Sequence, residues 1–303
     1  CPRWSSSYEV SVNVTDKSGL SNVARTTVHV GASALVAAID GGDRRVGLSE
    51  SLSLDASASY DPDRPNEAHG LLYSWSCRDA AGAACYGVTL ASQSINVIDA
   101  AALAALGAGS LDFEIIVSEL AHGAGRNATA SVRIELVVDA VPQISISALT
   151  APKANPSARL VLEGVASATE RAVGFAWALV RGDLAGGSLE ASAATQLAGT
   201  IDAHPDADAV KYLVVIAGAL TAGATYEFAL TASYADTTIV SEDGFSALSV
   251  RVNAPPTSGA LTVVPATGVV LQTAFVFACA GWVDDADDLP LLYSFFFAVA
   301  GDD

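Results

Sequence analysis

The side chains best suited to chemistry in this chain are carboxylates crowded at two turns. Asp61 and Asp63 bracket a proline, and Asp284, Asp285, Asp287 and Asp288 crowd another turn. Hard carboxylate oxygens at such spacing are the donors that calcium takes. Neither run has the spaced ligands, central glycine and terminal glutamate of an EF-hand loop. For Asp61 and Asp63 a turn is the stronger reading, because an Asp next to Pro bends the chain through its own side chain. Calcium therefore stands as a candidate ligand chiefly of the later cluster, and no other cofactor is expected. His29, His69, His122 and His204 are scattered, without His-Glu-x-x-His or Cys-x-x-Cys company, which argues against zinc. The sequence has no Gly-x-Ser-x-Gly elbow and no phosphate-binding glycine loop, so no residue is assigned a catalytic role.

Cysteine and asparagine carry the remaining covalent chemistry. Cys77 and Cys85 flank the segment RDAAGAA, whose Gly82 permits a tight reversal, and a local disulfide is favoured over two buried thiols. Cys1 and Cys279 have no local partner. Asn13 and Asn127 each begin an Asn-x-Thr sequon and are candidate glycosylation sites.

The elements that must position these residues read as β-strands. Leu52 and Leu54 alternate with polar neighbours, and Asp61-Pro62-Asp63 with Pro65 and Asn66 halts that run. Beyond it the two-residue side-chain period puts Tyr73, Trp75 and Cys77 on one face. This is the look of the first half of an immunoglobulin-like sandwich. The aromatic pair recurs as Phe175-x-Trp177 and Tyr293-x-Phe295, at intervals of about one sandwich domain. A second ladder starts at Tyr8, Leu111 and Tyr226, each followed by a turn and another alternating strand. The expected fold is all-β, with tandem immunoglobulin/fibronectin III-like β-sandwiches in an extended array. Residues 1–30 read as the closing strands of one module and 31–139 as a complete sandwich. Residues 140–253 read as a second sandwich and 254–303 as the opening part of another. Val141-Pro142 and Ala254-Pro255-Pro256 mark the junctions. Tyr73, Trp75, Trp177 and Trp282 are the expected core aromatics. Two segments depart from β: residues 100–106 (AAALAAL) have helix propensity, and the Ala/Gly/Asp-rich residues 185–209 read as a long loop.

Composition narrows the partners. With 33 acidic against 15 basic residues, the net charge of −18 argues against nucleic acid and anionic membranes. It suits a secreted or surface protein. Alanine swells the 51% hydrophobic fraction, so the cores are expected to be thin, and the Ala/Arg bias is that of a GC-rich coding sequence. The most apolar stretch, residues 213–220, falls short of the roughly 18 residues that span a bilayer, so no membrane insertion is expected. The chain starts without Met and inside a strand-like run, and reads as a piece of something longer.

These motifs resemble a known family. Residues 54–77, LDASASYDPDRPNEAHGLLYSWSC, resemble the PKD domain and the receptor-for-egg-jelly (REJ) region of polycystin-1-like cell-surface proteins, including those of algae and protists. Residues 255–297 resemble the REJ pattern more closely. Gly259, Val263, Pro265, Gly268, Thr273, Phe275, Cys279, Gly281, Trp282, Asp284, Leu289, Pro290, Tyr293 and Phe295 fill its places. One departure is Leu261, near where the family usually has a cysteine, which leaves Cys279 without its expected disulfide partner. The resemblance implies an extracellular, non-catalytic segment of a large surface glycoprotein, acting as spacer and as adhesion or assembly surface. A ciliary or flagellar coat, or an external filament, is the setting it suggests. The implied partners are other surface or filament proteins, copies of the chain itself, or a glycan. The alternative is the ectodomain of a polycystin-like receptor or channel-associated subunit that binds glycan or protein ligands and transmits force.

Overall fold

A computed structural model describes residues 6–64, 70–119, 125–285 and 288–297. Cys1, Pro65, Asn66, His69, His122 and Asp287 lie outside the described residues. The chain is nearly all β. Strands β1 (Ser6–Thr15) and β2 (Ser21–Val30) form a hairpin closed by a turn at Asp16. The Asp16 carboxylate accepts the Ser18 and Leu20 amides at 2.8 and 3.0 Å, which is why this turn forms.

The first sandwich comprises β3 (Asp43–Gly47), β4 (Leu52–Asp55), β5 (Leu71–Asp79), β6 (Ile95–Ile98), helix α1 (Ala100–Leu106), β7 (Gly109–Glu119) and β8 (Asn127–Val137). Its larger sheet runs β3-β8-β7-β5, with β3 parallel to β8 and the others antiparallel; β4 and β6 make the facing layer. Strict alternation in β7 buries Leu111, Phe113, Ile115 and Val117 and turns Asp112 and Glu114 away from the core. Helix α1 forms where the alanine run is expected to, crossing from the small sheet to the large. Asp99 caps it by accepting the Ala102 amide at 2.8 Å, Gly107 ends it at φ 78°, and Leu103 is its buried contact.

The second sandwich comprises β9 (Ile144–Ile146), β10 (Leu160–Ala166), β11 (Val173–Arg181), α2 (Leu189–Ser192), β12 (Ala198–Ile201), β13 (Ala209–Val215), β14 (Thr225–Tyr234) and β15 (Gly244–Arg251). Sheet β13-β10-β9 faces β12-β11-β14-β15. Residues 185–209 are not a long loop. They hold α2, capped by Ser188, and β12, which pairs with β11 from Val173↔Ile201 to Ala176↔Ala198. Leu189 and Ile201 anchor this segment in the core, while the alanines between them give no period to read. Trp177 lies in the same core, and Gly164 of β10 makes room for it. A Cβ on Gly164 would come within 2.7 Å of the indole Cζ2.

Beyond residue 253, β16 (Ala260–Val264) and β17 (Val276–Ala280) pair as a two-stranded sheet. Two core expectations need correction. Trp282 is 40% exposed, because among the described residues no second layer closes over this sheet. Its ring instead lies on the backbone of Gly259, where a Cβ would be 1.8 Å from the indole. Tyr73 and Trp75 pack on the first core at its margin and remain half-buried, since β5 is the outermost strand of its sheet. The Trp75 indole N–H donates to the Gln93 carbonyl at 2.9 Å. Sequence reasoning had not singled out Tyr226 as a core residue. It is fully buried, accepts the Thr221 amide and donates to the Asp183 carbonyl, both at 2.9 Å.

Candidate functional site

The charged residues that looked like metal donors gather at the joints between modules, and each cluster already contains a cation from the chain itself. At the Asp-Pro turn, the Asp63 amide donates to Asp61 Oδ1 at 3.0 Å, the self-hydrogen-bonded turn expected of that motif. Arg126, on the approach to β8, reaches into it. Its Nη2 donates to Asp61 Oδ2 at 2.7 Å, Nη1 to Asp63 Oδ2 at 3.0 Å, and Nε to Glu119 Oε2 at 3.2 Å. Arg126 is 14% exposed and Asp61 7%. Burial disfavours the guanidinium charge, but hydrogen bonds and charge from Asp61 and Glu119 more than reverse that and hold Arg126 above its ordinary range.

The same cluster grips the segment leading in from β2. Ser33 donates through its amide to Asp63 Oδ2 at 2.9 Å and through its hydroxyl to Oδ1 at 2.6 Å, and its carbonyl accepts Arg126 Nη1 at 2.7 Å. Asp61 and Asp63 thus hold an arginine and a linker serine.

The later acidic cluster is arranged alike. Lys153, in the connection between β9 and β10, is 6% exposed, and its Nζ lies 2.8 Å from Asp285 Oδ2 and 2.7 Å from Asp288 Oδ2. Asp284 accepts the Asp285 amide at 2.9 Å. The lysine belongs to the second sandwich and the aspartates to the segment after it, so the contact spans a junction. Backbone bonds run alongside: Asn253 donates to Ala154, and Thr257 and Val283 exchange a reciprocal pair at 2.9 Å. Among the described residues no group of three or more His, Cys, Asp or Glu is arranged to hold a metal.

The middle junction is made differently. Strand β15 pairs with β3 through Ser246↔Arg44 and Ala247↔Asp43, so the larger sheets of the two sandwiches run together as eight strands. Ser246 is fully buried there; its hydroxyl donates to the Gly41 carbonyl at 2.9 Å and accepts the Ile146 amide at 3.0 Å. Gly42, at φ 61°, passes so close to Ala247 that a Cβ would meet its carbonyl oxygen at 2.3 Å. Arg44 sits beneath this contact and donates to the Asp40 and Gly42 carbonyls. Burial pulls its guanidinium down to about 10, against the opposing charges of Asp40 and Asp43. Outside, Arg45 donates to the Asp243 carbonyl at 2.7 Å and pairs with Glu135.

The other candidates fall as follows. Cys77 and Cys85 form a disulfide across the Gly82 reversal, with Cα atoms 5.4 Å apart. Cys279 is a free thiol, and the residue directly across the ladder from it is Leu261. Asn13 on the hairpin and Asn127 at the start of β8 are both exposed and accessible to glycan. Of the described histidines, His29 meets the Ser7 hydroxyl at 2.7 Å on the hairpin, and His204 the Asp202 carbonyl at 2.8 Å. A groove of about 1040 Å³ runs where the first sandwich, the second and the C-terminal segment meet, lined in part by Val36, Tyr60, Pro152, Arg251, Pro255 and Leu289. No helix among the described residues is long and apolar enough to cross a membrane.

The family model described as REJ domain matches residues 7–302. Among solved structures, the chain is similar to Drosophila N-cadherin EC1-4, at 11% identity and TM-score 0.31, over 87% of this chain and 62% of that one. It is also similar to a Ca2+-stabilized, ice-binding adhesin of an Antarctic bacterium, at 15% identity and TM-score 0.25, over 85% and 59%. A third likeness, to E. coli alpha-2-macroglobulin in its native conformation, has 11% identity and TM-score 0.28, over 84% and 20%. The chain thus spans less than two thirds of each of these proteins. No curated protein sequence matches it.

Proposed function

The chain belongs to the REJ domain family, and from that premise we propose that it is a non-catalytic extracellular segment of a large cell-surface or secreted glycoprotein. It acts there as a spacer and as an adhesion or assembly surface, in a ciliary or flagellar coat or an external filament. The observation that carries this reading is the run of eight hydrogen-bonded strands through two sandwiches, with ionic contacts at the junctions on either side. Such a path passes tension between modules through backbone pairing, and side chains hold the chain's entry and exit. Exposed sequons at Asn13 and Asn127 are compatible with a glycosylated outer surface. The partners proposed are other surface or filament proteins, including copies of the chain.

A second reading is a receptor or channel-associated ectodomain that binds a glycan or protein ligand. The groove at the meeting of the modules favours it, being a concavity that all three segments build together.

Single-molecule stretching of the chain between its ends tests the spacer role. Two force peaks, or one larger joint peak, are expected from the two sandwiches, with lengths released that match about 100 residues each at roughly 3.4 Å per residue. Extension without peaks would overturn the role. Mass spectrometry of the natively produced protein tests the location: unmodified Asn13 and Asn127 would count against it.

A further inference from the structure

We propose that the two outer junctions are each locked by one buried basic side chain, Arg126 and Lys153, standing where a bound divalent cation would otherwise be needed. Module order is therefore held without calcium. Three observations carry this. First, both cations are nearly withdrawn from water, at 14% and 6% exposure, and each touches two or more carboxylates at 2.7–3.2 Å. Second, both clusters act at a junction, one on the linker that leads from the hairpin into the first sandwich and one across the step from the second sandwich to the next segment. Arg126 and Asp63 together hold Ser33, three residues past the hairpin, and Lys153 of the second sandwich holds Asp285 and Asp288 of the next segment. Third, the chain is poor in cations, with 15 basic against 33 acidic residues, so a basic side chain placed inside an acidic turn cancels repulsion that would otherwise open it.

A guanidinium or ammonium at hydrogen-bonding distance from those oxygens occupies the position a calcium ion would take. Ion and side chain exclude each other there, since both need the same lone pairs. A tethered cation also does not dissociate. The junctions therefore keep their geometry at any calcium concentration, and fail only when a cation or its carboxylates are removed.

Hydrogen–deuterium exchange read by mass spectrometry on the whole chain tests this. Lys153→Gln is expected to speed exchange at the Thr257 and Val283 amides on the order of tenfold, between the small effect of losing an exposed pair and the larger one of breaking a fully buried pair. Peptides over β10 and β14 should hold their rates. Asp285→Asn with Asp288→Asn, which leaves the second sandwich untouched, should reproduce the effect, and Lys153→Arg should largely restore protection. Arg126→Gln should act likewise on residues 33–36 and their partner Tyr60. Millimolar calcium or a chelator should change neither junction in the unsubstituted chain. Should Lys153→Gln also loosen the core, the aspartate pair decides the matter. Unchanged exchange at both junctions in the variants, or calcium slowing exchange in the unsubstituted chain, overturns the proposal.

Discussion

Removing the Arg126 guanidinium would leave Asp61, Asp63 and Glu119 facing one another with little water to separate them. Breaking a buried pair from one side typically costs about 3 to 5 kcal/mol, because the other charge stays behind. Arg126→Ala should therefore lower the stability of the first sandwich by about 2 to 4 kcal/mol, read from its denaturant midpoint. Adding Asp61→Asn should recover part of that loss. Asp16 offers a pH test on the hairpin. Its carboxylate is held below the ordinary range, chiefly by the Leu20 amide, with burial opposing it and Ser18 adding to the lowering. A depressed folded value means that the turn gains stability from the ionised form above the unfolded pKa and loses it as pH falls through the folded one. The Gly19 and Leu20 amide shifts should thus stay constant through neutral pH and move only in acid, below the usual carboxylate range. The Asp-Pro turn was legible in sequence because its bond is local. Its cation was not: Arg126 lies far along the chain, and nothing in its neighbourhood marks it as the partner.

At the scale of elements, period-two alternation was legible where one face is buried and the other wet, as in β7 and β14, and the alanine run read correctly as a helix. Residues 185–209 failed that reading because alanine carries no polarity contrast, so neither α2 nor β12 leaves a periodic mark. The aromatic anchors were read as equivalent, yet Trp177 sits inside its sheet and Trp75 at an edge, a difference set by strand order and not by local sequence. The family motif is explained by packing: Gly259 is where the Trp282 ring lies, and Gly268 is where Thr273 and Phe275 come close. Gly164→Ala is a sharp test of such fits. The added methyl would stand 2.6 Å from Leu230 Cδ2 and 2.7 Å from Trp177, and overpacking of this kind costs about 1 to 3 kcal/mol. Gly174→Ala, on β11 of the facing sheet with its nearest contact at 3.5 Å, should change the melting temperature little. A calorimetric comparison of the two separates packing from a general dislike of alanine in strands.

For the molecule as a whole, the decisive contact is the one no pattern announces. Prolines at Pro142, Pro255 and Pro256 mark the junctions, but the pairing of β3 with β15 joins residues about two hundred positions apart and rests on Gly41, Gly42 and the Ser246 hydroxyl. Two sandwiches joined only by a linker would unfold independently. Two that share a sheet lose edge pairing and a buried hydrogen-bond network when either one opens, so each stabilises the other. The cores themselves are separate, which means the coupling passes through this junction and not through a common interior. Scanning calorimetry should accordingly show the two sandwiches melting in one transition in the unsubstituted chain. Ser246→Val leaves the Gly41 carbonyl and the Ile146 amide without their hydroxyl, and Gly42→Ala drives a methyl into the Ala247 carbonyl. Either should split the melt into two transitions while leaving each core able to fold. Two well-separated transitions in the unsubstituted chain would mean that the eight strands act as two sheets laid edge to edge. Tension would then pass between them through the connecting backbone alone.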